Sequence, residues 1–168
     1  EFNRLRERKN EEDRHLDDLK SLIQRVMEKF PTGIPVDKHA ALSSFLQHYR
    51  EHGPDELSAV IAHPEIWSII CDQNDIMLGA SHNLFNALRY TPDELLGAYK
   101  GKLWIERPKK VEDQQSNRAA YLIYQVKQKH YHGIHEDAYI TSGGEVISIL
   151  QQRLSLLHET GTTAGYLY

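Results

Sequence analysis

The chain has 168 residues, a formal net charge of −4 and a pI near 6.2. That acidic balance argues against this stretch as a main nucleic-acid contact, which would call for a basic face. With 40% hydrophobic and 26% charged residues, and no apolar run near the ~18 residues of a membrane helix, it reads as a soluble globular chain. The single cysteine, Cys71, excludes an intrachain disulfide framework and fits a reducing, cytoplasmic setting. The N-terminus is charged, without the apolar core of a signal peptide, and opens without Met, as a piece of a longer protein would.

Residues 1–30 contain neither Gly nor Pro. Leu16, Leu19, Ile23, Val26 and Phe30 alternate three and four apart, which is the a/d seam of a heptad helix. Carried backwards, the register meets Glu12, Lys9, Leu5 and Phe2, so two middle layers are polar. Such a seam packs either on the rest of its own chain or on a second copy. Its narrowness favours a helix partner, which makes these five residues candidate homodimer contacts. Pro31-Thr32-Gly33-Ile34-Pro35 breaks the helix. A second helix is expected over 37–52, with Leu42, Phe45, Leu46 and Tyr49 on one stripe, and a short third over 55–62. Residues 1–62 thus form a helical extension, and 63–168 the following domain.

Ile66–Cys71 is an apolar run suited to a buried strand. Asp72-Gln73-Asn74-Asp75 is turn chemistry, because Asx side chains bond their own backbone and tolerate the left-handed region. A second strand begins at Ile76 and should end at Gly79-Ala80. Ser81 is placed to cap a helix with Leu84, Phe85 and Leu88 on one face. In Thr91-Pro92-Asp93-Glu94, Thr91 is the N-cap, Pro92 sits where its missing N–H costs nothing, and Glu94 completes a capping box. Gly97 supplies the stop.

A short turn around Trp104, an exposed basic connection at 107–110 and a helix over 113–129 are expected next. The final third is β: a strand over 131–140, a two-glycine turn at Ser142-Gly143-Gly144-Glu145, one long strand over 146–158, a turn at Gly161, and a last strand over 164–168. The long strand has apolar residues on both faces, Val146, Leu150, Leu154 and Leu156 against Ile147, Ile149 and Leu157. A sheet with one wet face would alternate more cleanly, so its outer face needs a cover. The N-terminal helices, or a second copy of the sheet, can supply it.

The turn at Asp72, Asn83 in the following helix, the Thr91–Gly97 segment and the closing hairpin, long strand and final strand together resemble a PAS domain over residues 66–168. The resemblance implies an α+β fold, a five-stranded antiparallel sheet with short helices on one face, here preceded by an all-helical extension. It also implies a sensory domain in a signalling or transcription regulator, with an output domain or partner protein outside this stretch and a small apolar ligand as the possible input. Candidate pocket residues are Ile70, Met77, Leu84, Phe85, Leu88, Leu95, Trp104, Ile123, Ile149 and Leu157. All are equally explained as a close-packed core.

Specific chemistry is sparse. Among ten histidines only His130, His132 and His135 cluster, and on a strand the third points away from the other two, against a metal site. Haem-binding relatives use an axial histidine, for which His130 and His132 are the candidates, so a haem-based gas or redox sensor is the first alternative. A structural dimerisation module without ligand is the second. Light-oxygen-voltage relatives need a Cys motif that this sequence lacks. No hydrolase, metalloprotease or nucleotide-loop motif is present, and adjacent Glu136 and Asp137 should face opposite sides of a strand, so no enzyme is expected.

Overall fold

A computed structural model of the protein describes residues 2–36, 42–52, 55–103 and 134–168. Helix α1 runs Phe2–Lys29, α2 Phe45–His52 and α3 Asp55–Ala62. A 3-10 turn over Leu42–Ser44 leads into α2. Between α1 and α2 the chain adds a short strand, β1 (Ile34–Pro35), so the extension is not wholly helical. Then come β2 (Ile69–Asp72), β3 (Met77–Ala80), α4 (His82–Leu88), α5 (Pro92–Leu95) and a 3-10 turn over Lys100–Leu103. The last part holds β4 (His135–Ile140), β5 (Val146–Gln151), β6 (Leu154–Leu157) and β7 (Thr163–Leu167). The α+β class holds. No helix among the described residues is long and apolar enough to cross a membrane.

The sheet has five strands in the order β1-β6-β7-β2-β3, and it is mixed because β1 runs parallel to β6. The other pairings are antiparallel, and β4 and β5 form a separate hairpin. The strand expected over 146–158 is therefore two strands, interrupted at Gln152-Arg153. The upper half pairs with β4 and the lower half with β7. The other edge of β6 is taken by β1, with Ile34 opposite Leu156 and Pro35 opposite Leu157. Pro35 has no N–H to donate, which suits it to a sheet edge. Gly33 makes the approach possible: its φ is 142°, and a Cβ there would lie 2.7 Å from the Ser155 carbonyl oxygen.

Local signals mostly hold. The Asp72 carboxylate accepts from the N–H groups of Asn74 (2.8 Å) and Ile76 (3.0 Å), and Asp75 takes the left-handed conformation at φ 59°. Strand β3 ends at Ala80, within the expected Gly79-Ala80 stop, with Gly79 still paired opposite Ile70. Ser81 occupies the N-cap of α4, yet its hydroxyl makes no cap bond and instead accepts the Ser68 N–H at 3.0 Å. At α5 the Glu94 carboxylate accepts the Thr91 N–H at 2.8 Å, as a capping box requires.

Alternation along the strands splits the apolar residues into two clusters. Ile70, Leu156 and Leu167 lie on one face with Val26, Phe45, Leu57 and Ile61 of the extension. Ile69, Cys71 and Met77 lie on the other with Leu84, Leu88, Leu95 and Tyr139. The cover that the long strand demanded comes from this chain's own helices: Leu19, Leu22, Ile23 and Phe30 pack against the first cluster, and Val26 is 1% exposed within it.

Candidate functional site: a cleft between the first helix and the hairpin

Because the hairpin leaves the sheet at Gln152-Arg153, a gap opens between β5 and the extension. A cleft of about 760 Å³ fills it. Among the described residues one wall is α1, through Leu16, Leu19 and Ile23. The other is the hairpin, through Tyr139, Ile147, Ile149 and Gln151, and the floor is Ile66, Trp67 and Ile69. In the hairpin register Tyr139 pairs with Ile147 and Asp137 with Ile149, which sets these four side chains on one face. Among the described residues, Glu65, Glu136, Asp137 and Lys20 are the charged groups that border the cleft. Glu136 and Asp137, adjacent on β4, alternate between the two faces of the hairpin.

Behind the hairpin wall lies a buried polar group that the sequence did not announce. Lys100 is 2% exposed. Its Nζ donates to Gln151 Oε1 at 3.3 Å and lies 4.1 Å from the Tyr168 ring centroid and 5.0 Å from that of Tyr139. Gln151 Oε1 also accepts the Tyr139 hydroxyl. The Tyr168 hydroxyl donates to Asp75 Oδ1 at 2.7 Å, and the Lys100 N–H to the Asp75 carbonyl at 2.9 Å. Burial holds the Lys100 amine below the usual lysine range, against the pull of Cys71, Asp75 and Asp137. Burial likewise pushes the Tyr139 and Tyr168 phenols and the Cys71 thiol up. Aromatic faces on two sides are suited to an amine in either protonation state.

The predicted site residues distribute unevenly. Leu84 and Ile149 line the cleft. Met77, Phe85, Leu88 and Leu95 lie in the closed second cluster. Ile70 is turned to the opposite face of the sheet, under the extension, because its neighbour Ile69 takes the inner position. Leu157 follows an irregularity in β6 and sits against the Gly33 turn instead. Trp104, Ile123, His130 and His132 lie outside the described residues, as does the basic connection at 107–110. The seam is divided. Leu16, Leu19, Ile23 and Val26 border the cleft, and Leu16 is still 41% exposed. Phe2 and Leu5 are 87% and 62% exposed. Asn83 anchors the helix under the floor, its amide donating to the carbonyls of Pro64 (2.9 Å) and Ile66 (3.0 Å).

Lys100 and Gln151 gave no sequence signal: the first stands in a Lys-Gly-Lys run that reads as solvated, the second in a strand of mixed polarity.

No protein-family model matches the sequence, and no curated protein matches it. Solved structures do. A light-oxygen-voltage domain studied with a flavin analogue aligns with a TM-score of 0.50 at 14% identity, over 68% of this chain and 81% of that one. The fold is PAS-like. Two further PAS-like neighbours are the PAS domain of a protein from Colwellia psychrerythraea (TM-score 0.45, 13% identity, 60% of this chain and 80% of that one) and that of a LuxR-family transcriptional regulator from Burkholderia thailandensis, solved with ethanol (0.46, 15%, 66% and 90%). In the PAS-like frame, β2-β3 is the opening hairpin, α4 and α5 the short helices of one face, and β4 to β7 the closing strands. The strand β1 and the covering helices are what this chain's extension adds.

Proposed function

We propose that this chain is a sensory module that acts by conformation rather than by catalysis. An uncharged, largely apolar small molecule enters the cleft, and its occupancy repositions α1, which passes the change to an output domain or partner protein. The observation that carries this reading is that α1 and the hairpin are opposite walls of one cleft, so an occupant touches both at once. The volume lies within the ~300–1,000 Å³ of ordinary ligand sites, and its aromatic and aliphatic walls carry polar side chains among them, including Ser68, Ser148, Gln151 and Gln152. An occupant that binds one α1 position better than another shifts the population between them.

Homodimerisation through the outer half of α1 belongs to the same reading. Residues 2–18 are exposed, and Phe2, Leu5 and Leu16 lie in the seam register beyond the part that packs on the chain's own sheet. The polar layers at Lys9 and Glu12 would make that association weak enough to be regulated. A cytoplasmic setting agrees with the single, buried, unbridged Cys71.

The test is titration of the full chain with N-phenylnaphthylamine, an uncharged apolar fluorophore, followed by amide hydrogen exchange. Binding should slow exchange in α1 between Leu16 and Val26. A probe that binds without changing α1 sinks the relay; no saturable binding sinks the ligand reading. For the dimer, sedimentation of a Leu5→Lys, Leu16→Lys double variant should show lower mass than the parent chain. A parent chain that is monomeric at high concentration removes this part.

A further inference from the structure

Gln151 is 6% exposed and lines the cleft, and its amide is oriented by chemistry rather than by choice. A lysine ammonium can only donate, and the Tyr139 phenol, with its proton held by burial, donates as well. Both meet the same atom of Gln151, its side-chain oxygen. The Nε2 group is thereby turned away from them, and among the described residues it has no hydrogen-bond partner. Nε2 is not sealed away as buried orphan atoms are, so its two donor hydrogens open on the cleft that Gln151 lines and mark a place where a ligand acceptor can sit.

We infer that Gln151 reads the ligand: the cleft takes a neutral, mostly apolar molecule carrying a hydrogen-bond acceptor, such as a ketone, ester or amide carbonyl, which accepts from Gln151 Nε2. This rests on the ligand reading proposed above and narrows it to a chemical class. A carboxylate or sulfonate is disfavoured, because among the described residues Glu65, Glu136 and Asp137 border the cleft against Lys20. A hydrocarbon without an acceptor fills the same walls but leaves Nε2 unpaired. Lys100 and Tyr139 act as positioning residues. They hold the oxygen end, and so fix which end of the amide the ligand meets.

The experiment compares two neutral fluorophores on the full chain. Prodan carries a ketone; N-phenylnaphthylamine has a similar aromatic body and no carbonyl. The variant Gln151→Glu keeps an oxygen for Lys100 and Tyr139 and replaces the donor by a second acceptor, with almost no change of shape. Prodan affinity should fall about tenfold in that variant, while N-phenylnaphthylamine should stay within about twofold. Prodan emission in the parent chain should be red-shifted relative to the variant, as expected of a hydrogen-bonded carbonyl. Ile149→Trp, which fills the cleft, should weaken both probes. Equal effects of Gln151→Glu on the two probes, or none on either, overturn the inference while leaving the ligand reading standing. If neither probe binds the parent chain, or both bind the Ile149→Trp variant unchanged, the cleft reading falls and this inference with it. Should Gln151→Glu fail to fold, as judged by circular dichroism, the emission shift between prodan in the parent chain and in aprotic solvent decides: no shift overturns the inference.

Discussion

The phenol of Tyr168 donates to the carboxylate of Asp75 at 2.7 Å, joining residues 93 apart in sequence. Asp75 is fully buried in the turn between β2 and β3, and Tyr168 follows β7 and pairs with Ile69 through two backbone bonds. The bond ties the end of β7 to the turn of the opening hairpin. Tyr168→Phe should therefore destabilise by about 1–3 kcal/mol, since a buried carboxylate loses a donor. Urea denaturation measures it, and a loss near zero would mean that Asp75 is held by its other contacts alone.

Lys100 gives a pH-dependent prediction. Its amine is held below the usual lysine range, so the unfolded chain binds more protons than the folded one between the two pKa values. The penalty is full below the folded pKa and fades as pH rises toward the unfolded value of about 10.4. Lys100→Met removes the penalty, keeps the bulk between Tyr139 and Tyr168, and leaves the Tyr139 hydroxyl on Gln151. Its stability relative to the parent chain should be more favourable near about pH 6.5 than near about pH 10. Tyrosine and cysteine ionisation weaken both proteins alike at high pH, because folding raises those pKa values, so the difference between the two curves isolates Lys100. A difference independent of pH would show that the amine is solvated.

The divided seam predicts opposite outcomes along one helix. Val26 is buried against this chain's own sheet, so Val26→Ala should cost about 2 kcal/mol. Leu5→Ala should stay within about 0.5 kcal/mol in dilute monomer, as a surface change does. Chemical denaturation of the two variants at low concentration tests both. Equal costs would contradict the division.

Asn83→Ala removes the donors to the Pro64 and Ile66 carbonyls and should cost about 1–3 kcal/mol. Because the loss is at the cleft floor, hydrogen exchange should rise first in residues 63–68. Uniform acceleration across the sheet would mean that Asn83 supports the whole domain and not that connection.

Gly165→Ala should be among the most damaging single changes, above about 3 kcal/mol, because a Cβ there would collide with the Cys71 carbonyl across the β2-β7 pair. Thermal melting checks it. A variant of near-parental stability would require β7 to shift away from β2.

The elements whose signals are local were legible in the sequence. The Asp72 turn, the Thr91-Pro92-Asp93-Glu94 start and the glycine turn before β5 each rest on bonds closed within five residues, and each forms as its side chains dictate. The two-faced apolar pattern of residues 146–157 likewise told that both faces of the sheet are covered. What covers the outer face was not in that pattern. A heptad seam specifies only that an apolar stripe must be buried, and Leu19 to Phe30 satisfy it on their own sheet while Phe2 and Leu5 do not. Nor could sequence place Ile70 and Ile69, because a register shift of one residue exchanges the two faces of a strand. Only the tertiary structure decided that β1 would take the edge of β6, that the hairpin would part from the sheet at Gln152-Arg153, and that a cleft would open there. Lys100, Tyr139 and Gln151 meet across 51 and 12 residues of chain. Their chemistry is set by burial and orientation, which exist only after the chain has folded.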